Sequence, residues 1–130
     1  MKGYVFDTHA LLAYVRTRRL GRAAARAFRE VDAGRAAAWL PAVVPVEVAL
    51  LRERGRTPVG LPQIEATLAR NPMLQLLPLD LGQAREFALL PALHDPFDRM
   101  IVAAARSIGL PLITADQAIT ESGLVEVVWD

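Results

Sequence analysis

Four acidic residues lie at positions where a carboxylate could do chemistry. Asp7 and Asp116 each directly follow a predicted strand, and Asp98 lies in the first turn of a predicted helix. Glu47 lies within residues 43–50, where nearly every neighbour is apolar, and an ionised carboxylate seldom stays buried without a partner. If the four carboxylates meet, their repulsion raises some of their pKa values, and a divalent cation removes that repulsion. Oxygen ligands with few histidines and no cysteine favour Mg²⁺ or Mn²⁺ over Zn²⁺.

Each of these acids also has a purely structural interpretation. Asp7 and Asp116 could cap the helices that follow them, because an aspartate accepts hydrogen bonds from the free amides of a first turn. Asp95 precedes a proline at a predicted first helical position, and Asp98, three residues later, can reach back to that cap. Glu47 could face solvent or meet a partner. The residue types alone therefore leave capping and metal binding open.

The elements that must position these acids alternate along the chain. The predicted strands are 2–6, 37–40, 74–79, 111–114 and 125–129. The predicted helices are 8–15, 21–31, a stretch with Pro45 in its first turn that stops near Gly55, 62–70, 82–90, one from Pro96 to Gly109, and a short one from 117 to near Gly123. This alternation predicts an α/β fold, a three-layer α/β/α sandwich with a mostly parallel central sheet of about four to five strands. Ligands bind such sheets at the carboxyl ends of the strands, which places Asp7 and Asp116 on one rim.

Composition limits the class of protein. The chain has 130 residues, of which 53% are hydrophobic and 22% charged, which excludes a disordered chain and predicts a single domain over 1–130. No apolar run approaches the roughly 20 residues that a membrane span needs, and the N-terminus does not resemble a signal peptide. With no cysteine, there is no disulfide framework. We therefore expect a cytoplasmic protein with no membrane contact.

Basic residues are concentrated in the first half of the chain. Residues 1–60 contain ten arginines and one lysine against five acids, whereas residues 61–130 contain four arginines against nine acids. The densest run contains Arg16, Arg18, Arg19, Arg22, Arg26 and Arg29. It is either a solvated helix face or the contact surface of a polyanionic partner. If it binds such a partner, the first four of these arginines are the predicted substrate contacts.

Four short motifs resemble those of PIN-domain ribonucleases of the VapC toxin type. They are Asp7-Thr8-His9-Ala10-Leu11-Leu12, Val46-Glu47-Val48-Ala49, His94-Asp95-Pro96-Phe97-Asp98-Arg99-Met100-Ile101 and Leu112-Ile113-Thr114-Ala115-Asp116. They occur in the order of that family and span nearly the whole chain. Each motif is weak alone, but the third is the most specific signature of the family, and the ordered set is strong.

The resemblance implies an active site and an activity. It implies that Asp7, Glu47, Asp98 and Asp116 form an acidic quartet that binds Mg²⁺ or Mn²⁺. It assigns supporting roles to Asp95 and Thr114. Arg99, next to Asp98 in the sequence, is expected from its charge and position to contact the RNA backbone. The family cleaves RNA by hydrolysis, is commonly a homodimer, and is inhibited by a cognate antitoxin whose peptide enters the active-site groove. The chain is therefore expected to be a Mg²⁺-dependent endoribonuclease and the toxin of a VapBC-type pair.

The chain departs from the family at one position. Pro41 stands where family members often have Ser or Thr, so the usual hydroxyl cap before Glu47 is missing. Three other functions that use a strand-terminal aspartate or a phosphate site do not fit the sequence. A haloacid-dehalogenase phosphatase needs a second aspartate where His9 stands. A phosphate-loop NTPase needs a glycine-rich loop with a lysine, and a receiver domain needs a lysine at a strand end, but the only lysine is Lys2. The remaining alternative is a PIN-fold module that binds RNA or protein without cutting.

Overall fold

The chain folds around a five-stranded parallel sheet. The computed structural model describes residues 1–16 and 19–130. Within these ranges the strands are β1 (Lys2–Phe6), β2 (Ala36–Pro41), β3 (Leu74–Leu77), β4 (Leu112–Ile113) and β5 (Val127–Val128). The helices are α1 (Thr8–Arg16), α2 (Arg22–Asp32), α3 (Val43–Glu53), α4 (Leu61–Arg70), α5 (Leu81–Ala88), α6 (Pro96–Ile108) and α7 (Gln117–Ser122). No helix in the described ranges has the length and apolar content of a bilayer span.

The strand order is β3-β2-β1-β4-β5, and every neighbouring pair is parallel. The predicted three-layer α/β/α architecture is confirmed. From β1 the chain adds β2 and β3 on one side, then crosses over to add β4 and β5 on the other. The carboxyl ends of β1 and β4 therefore flank the point where the order reverses, which is where ligands bind in open α/β sheets.

The outer strand β3 differs from its prediction. A buried strand was expected over residues 74–79, but β3 is four residues long and only Leu74 is buried. Leu76 is 46% exposed and Leu79 60% exposed. The reason is position: β3 pairs only with β2 and forms an edge of the sheet, so apolar side chains there do not gain cover from both sides.

Helix α6 is buried more broadly than its apolar spacing predicts. The expected stripe ran through Phe97, Met100, Ile101, Ala104 and Ile108, but the fully buried residues are the five consecutive ones from Ile101 to Ala105, whereas Ile108 is 36% exposed. The cause is that α6 contacts α3 as well as α5. Neighbouring elements can cover a wide arc of α6 because three of its five buried residues, Ala103, Ala104 and Ala105, have small side chains.

The first two helices are joined to β1 by an aromatic cluster. Phe6 stacks on Phe28 with ring centroids 4.9 Å apart, and Tyr14 meets both rings edge-on at 5.4 and 4.9 Å. These contacts connect α1 and α2 to the central strand and so fix the direction in which α1 leaves the sheet.

Candidate active site

Two of the predicted acids lie at the switch point of the sheet and cap the helices there. Asp7 follows β1, is 5% exposed, and accepts the Ala10 amide at 2.7 Å through Oδ1. Asp116 follows β4 and accepts the Ile119 amide at 2.9 Å at the start of α7. The capping interpretation is therefore confirmed for both residues. For Asp116 the cap does not compete with a chemical role, because its second carboxylate oxygen remains available, whereas Asp7 also accepts a hydrogen bond from Thr114.

Asp98 lies in the field of the other acids. Its amide donates to Asp95 Oδ1 at 3.0 Å, so Asp95 is the N-cap of α6, as predicted. Burial, and then the charges of Asp95, Asp116, Glu47 and Asp7, raise the pKa of Asp98 to about 7. Four carboxylates separated by up to about a hundred residues in sequence thus act on a single group. The structure brings the predicted quartet to one edge of the sheet.

Thr114 connects Asp7 to Asp116. The Thr114 side chain is fully buried, and its Oγ1 accepts the Asp116 amide at 3.0 Å. Burial raises the pKa of Asp7 to about 6, while a hydrogen bond from Thr114, the Ala10 amide and the charge of His9 act in the opposite direction. Thr114 therefore occupies the position predicted for it beside the acids.

Glu47 is held by a residue that the sequence alone did not single out. Thr8 Oγ1 donates to Glu47 Oε1 at 2.5 Å, and the Thr8 side chain is buried between α1 and α3. The available signal was a hydroxyl directly after Asp7, since the residue after a strand-terminal acid lies at the same edge of the sheet. Pro41 has the expected consequence: the N-cap of α3 is Ala42, with no side-chain cap.

The acids fit a hard divalent cation by their chemistry, although not yet by their coordination geometry. All four offer carboxylate oxygens, and the pKa values of Asp7 and Asp98 are raised mainly by burial and further by neighbouring acids, an effect that a bound cation would oppose. As the side chains stand, no group of three or more His, Asp or Glu residues in the described part of the chain is arranged to hold a metal ion. Binding one ion through three of the quartet therefore requires side chains to rotate.

The arginines predicted to contact substrate lie in different places. Arg99 donates from Nε to the Phe87 carbonyl at 2.9 Å, and its guanidinium carbon lies 3.9 Å from the centre of the Phe87 ring. This position gives Arg99 a packing role between α6 and α5, and a contact with substrate stays a prediction. Arg16, Arg19 and Arg22 are exposed. Arg18 lies outside the described residues.

A groove of about 700 Å³ lies beside the acids, between α1 and α3. His9, Glu47 and Asp95 line it at one end, and Arg16 lines it as well. Two residues that were not predicted, Arg54 and Arg56, also line this α1–α3 groove. Among the described residues, Arg19 and Arg22 do not line it.

Comparison with known proteins decides the family. The model of the PIN domain family matches residues 4–122, which include all four acids. The chain belongs to the PIN-domain family. No curated protein matches this PIN domain in sequence.

Solved structures share the fold of this PIN domain at low sequence identity. VapBC2 from Rickettsia felis, bound to a DNA fragment from their promoter, matches with a TM-score of 0.73 and 12% identity over 98% of this chain and 99% of that one. DNA-bound VapBC from Salmonella typhimurium matches with a TM-score of 0.69 and 15% sequence identity, over 98% of this chain and 97% of that one. FitAcB from Neisseria gonorrhoeae matches with a TM-score of 0.65 and 17% sequence identity, over 95% of each chain. The neighbours match over almost their whole length, so this PIN domain has the fold without large insertions.

Proposed function

We propose that this PIN domain is a metal-dependent endoribonuclease and the toxin of a VapBC-type toxin–antitoxin pair. The observation that carries the proposal is that Asp7, Glu47, Asp98 and Asp116 lie together at the carboxyl ends of β1 and β4, where burial and the neighbouring acids raise the pKa of Asp98. Carboxylates that raise one another's pKa cost stability, and a fold that only binds RNA gains nothing from them. Their position at the switch point of the sheet is where an α/β fold binds its ligand.

Residues at the carboxyl ends of β1 and β4 have two kinds of role, metal binding and the positioning of the metal ligands. Asp7, Glu47, Asp98 and Asp116 would hold Mg²⁺ or Mn²⁺, which when bound activates water and stabilises phosphoryl oxygens. Thr8 holds Glu47 in place, and Thr114 holds Asp7 against Asp116. The caps at the starts of α6 and α7 fix the backbone of the other two acids.

Asp98 is the residue we assign to proton transfer. It is half-buried, and in the metal-free protein burial and the neighbouring acids raise its pKa to about 7, so its carboxyl group holds a proton more tightly than an ordinary aspartate. A carboxylate oxygen of Asp98 that is not engaged in metal binding accepts the proton of the attacking water, and the water oxygen forms a bond to phosphorus as the ester oxygen leaves.

The partners in this proposal are RNA, a cognate antitoxin and a second copy of the chain. The antitoxin has the better support, because the solved neighbours are toxin–antitoxin complexes. The homodimer and the RNA substrate rest on the resemblance of the motifs to those of the VapC toxin family. A cytoplasmic location belongs to the same proposal, since that is where its substrate is found.

A non-catalytic PIN module that binds RNA or protein is the second candidate. It is favoured by one observation, that the acids as they stand do not form a group arranged to hold a metal ion in the described part of the chain. The two candidates differ in one measurable property, RNA turnover that depends on added Mg²⁺ or Mn²⁺.

The deciding experiment measures cleavage of a mixed RNA pool by the purified chain during a Mg²⁺ titration. Asp7→Asn and Asp98→Asn should each lower the rate by about 100-fold or more, since each removes a ligand or a proton acceptor. Glu65→Gln on the exposed face of α4 is the matched control and should keep the wild-type rate. Full activity in the two aspartate variants, or turnover that persists in EDTA, would refute the assignment. No Mg²⁺-dependent turnover by the wild type would favour the binding module.

A further inference from the structure

Two helices line the α1–α3 groove with the same order of residue types. From α1 the lining residues are His9, Leu12, Ala13 and Arg16. From α3 they are Glu47, Leu50, Leu51 and Arg54. In each helix the spacing is i, i+3, i+4 and i+7, which places the four residues on one face. Both walls therefore present a polar residue, then two apolar residues, then an arginine.

The two helices also leave the sheet in the same sense. Helix α1 follows β1 and α3 follows β2, and these two strands are parallel neighbours. His9 and Glu47 consequently lie at the acidic end of the groove. Arg16 and Arg54 lie seven residues further along, which is roughly 10 Å at 1.5 Å per residue. The groove thus runs from acids over an apolar middle to a cationic far end.

A third arginine reaches the far end from the turn that closes α3. Arg54 and Arg56 flank Gly55, whose φ of +69° lies in the left-handed region that favours glycine. The amides of Arg54 and Arg56 donate to carbonyls in the last turn of α3, at 3.1 and 2.9 Å. Within residues 1–16 and 19–130, neither guanidinium forms an ion pair. The backbone of this turn is fixed, and its two cations remain uncompensated.

We propose that the α1–α3 groove binds an unpaired stretch of RNA next to the scissile phosphate, an inference that rests on the proposed nuclease function. The scissile phosphate lies at the acidic end, the base of a neighbouring nucleotide lies on the apolar middle, and the arginines bind phosphates beyond it. Phe97 from α6 lines the same groove and offers a ring on which that base stacks. A paired base has both faces covered by its neighbours, so the substrate must be single-stranded at this point.

The charges at the far end favour RNA over a protein segment as the occupant. Arg16, Arg54 and Arg56 bring three positive charges to one end of the groove, and guanidiniums bind phosphate oxygens through paired hydrogen bonds. An RNA strand supplies a negative charge at every nucleotide, whereas a peptide needs acidic residues at matching positions. A peptide segment is retained as an outcome of the test.

The test measures equilibrium binding of a fluorescent single-stranded RNA in an Asp98→Asn background, which prevents cleavage. The triple variant Arg16→Gln, Arg54→Gln, Arg56→Gln should bind about tenfold or more weakly at low salt. Its logarithmic salt slope should fall by about 2, because each phosphate contact to a single strand contributes about 0.7. Arg85→Gln on α5, outside the groove, is the matched control and should leave affinity and slope unchanged.

Phe97→Leu tests the contact with the base separately. It keeps an apolar side chain in place and should weaken single-strand binding by about fivefold, at the low end for loss of a base–aromatic stack. The same strand annealed to its complement should bind with no dependence on Phe97. Circular dichroism and thermal melting of each variant show whether it is folded.

Each outcome separates this inference from the proposed function. If the wild type cleaves RNA and the triple variant keeps its affinity and slope, the groove does not bind RNA and the inference is wrong. If the triple variant keeps RNA binding but escapes inhibition by a co-expressed antitoxin, the groove is a peptide site. If the wild type cleaves no RNA with Mg²⁺, the nuclease proposal fails, whereas a salt slope that falls in the triple variant still assigns the groove to RNA.

Discussion

Two regions of the site arise from different features of the chain. One is the acidic edge, the carboxyl ends of β1 and β4 where Asp7, Glu47, Asp98 and Asp116 lie, and the other is the arginine end of the α1–α3 groove. The acids come from four separate segments, and two of them directly follow strands. The arginines come from the C-terminal ends of two helices and the turn after one of them. The first region concentrates charges that repel one another, and the second leaves charges without a partner. An RNA strand with bound metal would compensate both.

The difference shows which kind of charge can be located from sequence. Strand ends and N-caps are backbone features, and Asp7, Asp95 and Asp116 occupy the positions that such features predict. An arginine's place depends on which face of a helix it occupies. The density of arginine in the sequence therefore does not tell which arginines line the groove, whereas the spacing of residues along α1 and α3 places Arg16 and Arg54 in it.

The largest expected effect is on the free energy of unfolding, and it comes from removing the buried negative charge of Asp7. In the metal-free protein, Asp7→Asn should raise the free energy of unfolding at pH 8 by up to about 3 kcal/mol, because a shift of about two pKa units corresponds to that energy. Asparagine can still accept the Ala10 amide. Chemical denaturation at pH 8 measures the change.

The same charge sets the pH dependence of wild-type stability. Asp7 has a folded pKa of about 6 against an ordinary value of 3.8, so the folded state binds the proton more tightly. Stability should therefore fall as pH rises from about 4 through 7, and saturating Mg²⁺ should flatten the decline. A metal-free protein that becomes more stable over this range would contradict the cost of burying the charged form of Asp7.

A slightly smaller effect is expected from the anchor of the arginine-rich helix α2. A Cβ at Gly21 would lie 2.2 Å from the Trp129 carbonyl oxygen, which also accepts the Ala24 amide at 3.0 Å. Gly21→Ala should lower the free energy of unfolding by about 1–3 kcal/mol, as overpacking does. RNA binding should be unchanged in the folded fraction, because α2 lies outside the groove. Gly82→Ala, with its nearest contact at 3.4 Å, is the control.

The next effect concerns the hydrogen bond that holds Glu47. Thr8→Val keeps the shape of the side chain but removes the hydroxyl that donates to Glu47. We expect RNA cleavage to slow by about tenfold, in the range seen when a residue that orients a metal ligand is lost. Thr8→Ser should restore most of the rate. A loss of rate in Thr8→Ser together with a wild-type rate in Thr8→Val would show that the methyl group, and so packing, is what matters.

The fold was more predictable than the site because its signals are local and repeated. The alternation of strands and helices, the caps at Asp95 and Asp116, and the end of α6 at Gly109 all follow from short stretches of sequence. The exposure of Leu76 did not, because sequence does not show which strand forms an edge. Thr8 was missed because its partner lies 39 residues away, and only the pairing of β1 with β2 brings them together.

The smallest effect distinguishes the two sets of arginines directly. Arg22 is exposed at the first position of α2, where no acid stabilises the helix N-terminus and a cation is unfavourable. Arg22→Gln should therefore raise the free energy of unfolding by about 0.3–1 kcal/mol and leave RNA affinity within about twofold, whereas Arg54→Gln should weaken RNA binding by a larger factor. Paired titrations of the two variants at one salt concentration measure the difference. Equal losses of affinity would mean that RNA also contacts the arginine-rich run, and the groove would then be only part of a wider electrostatic surface.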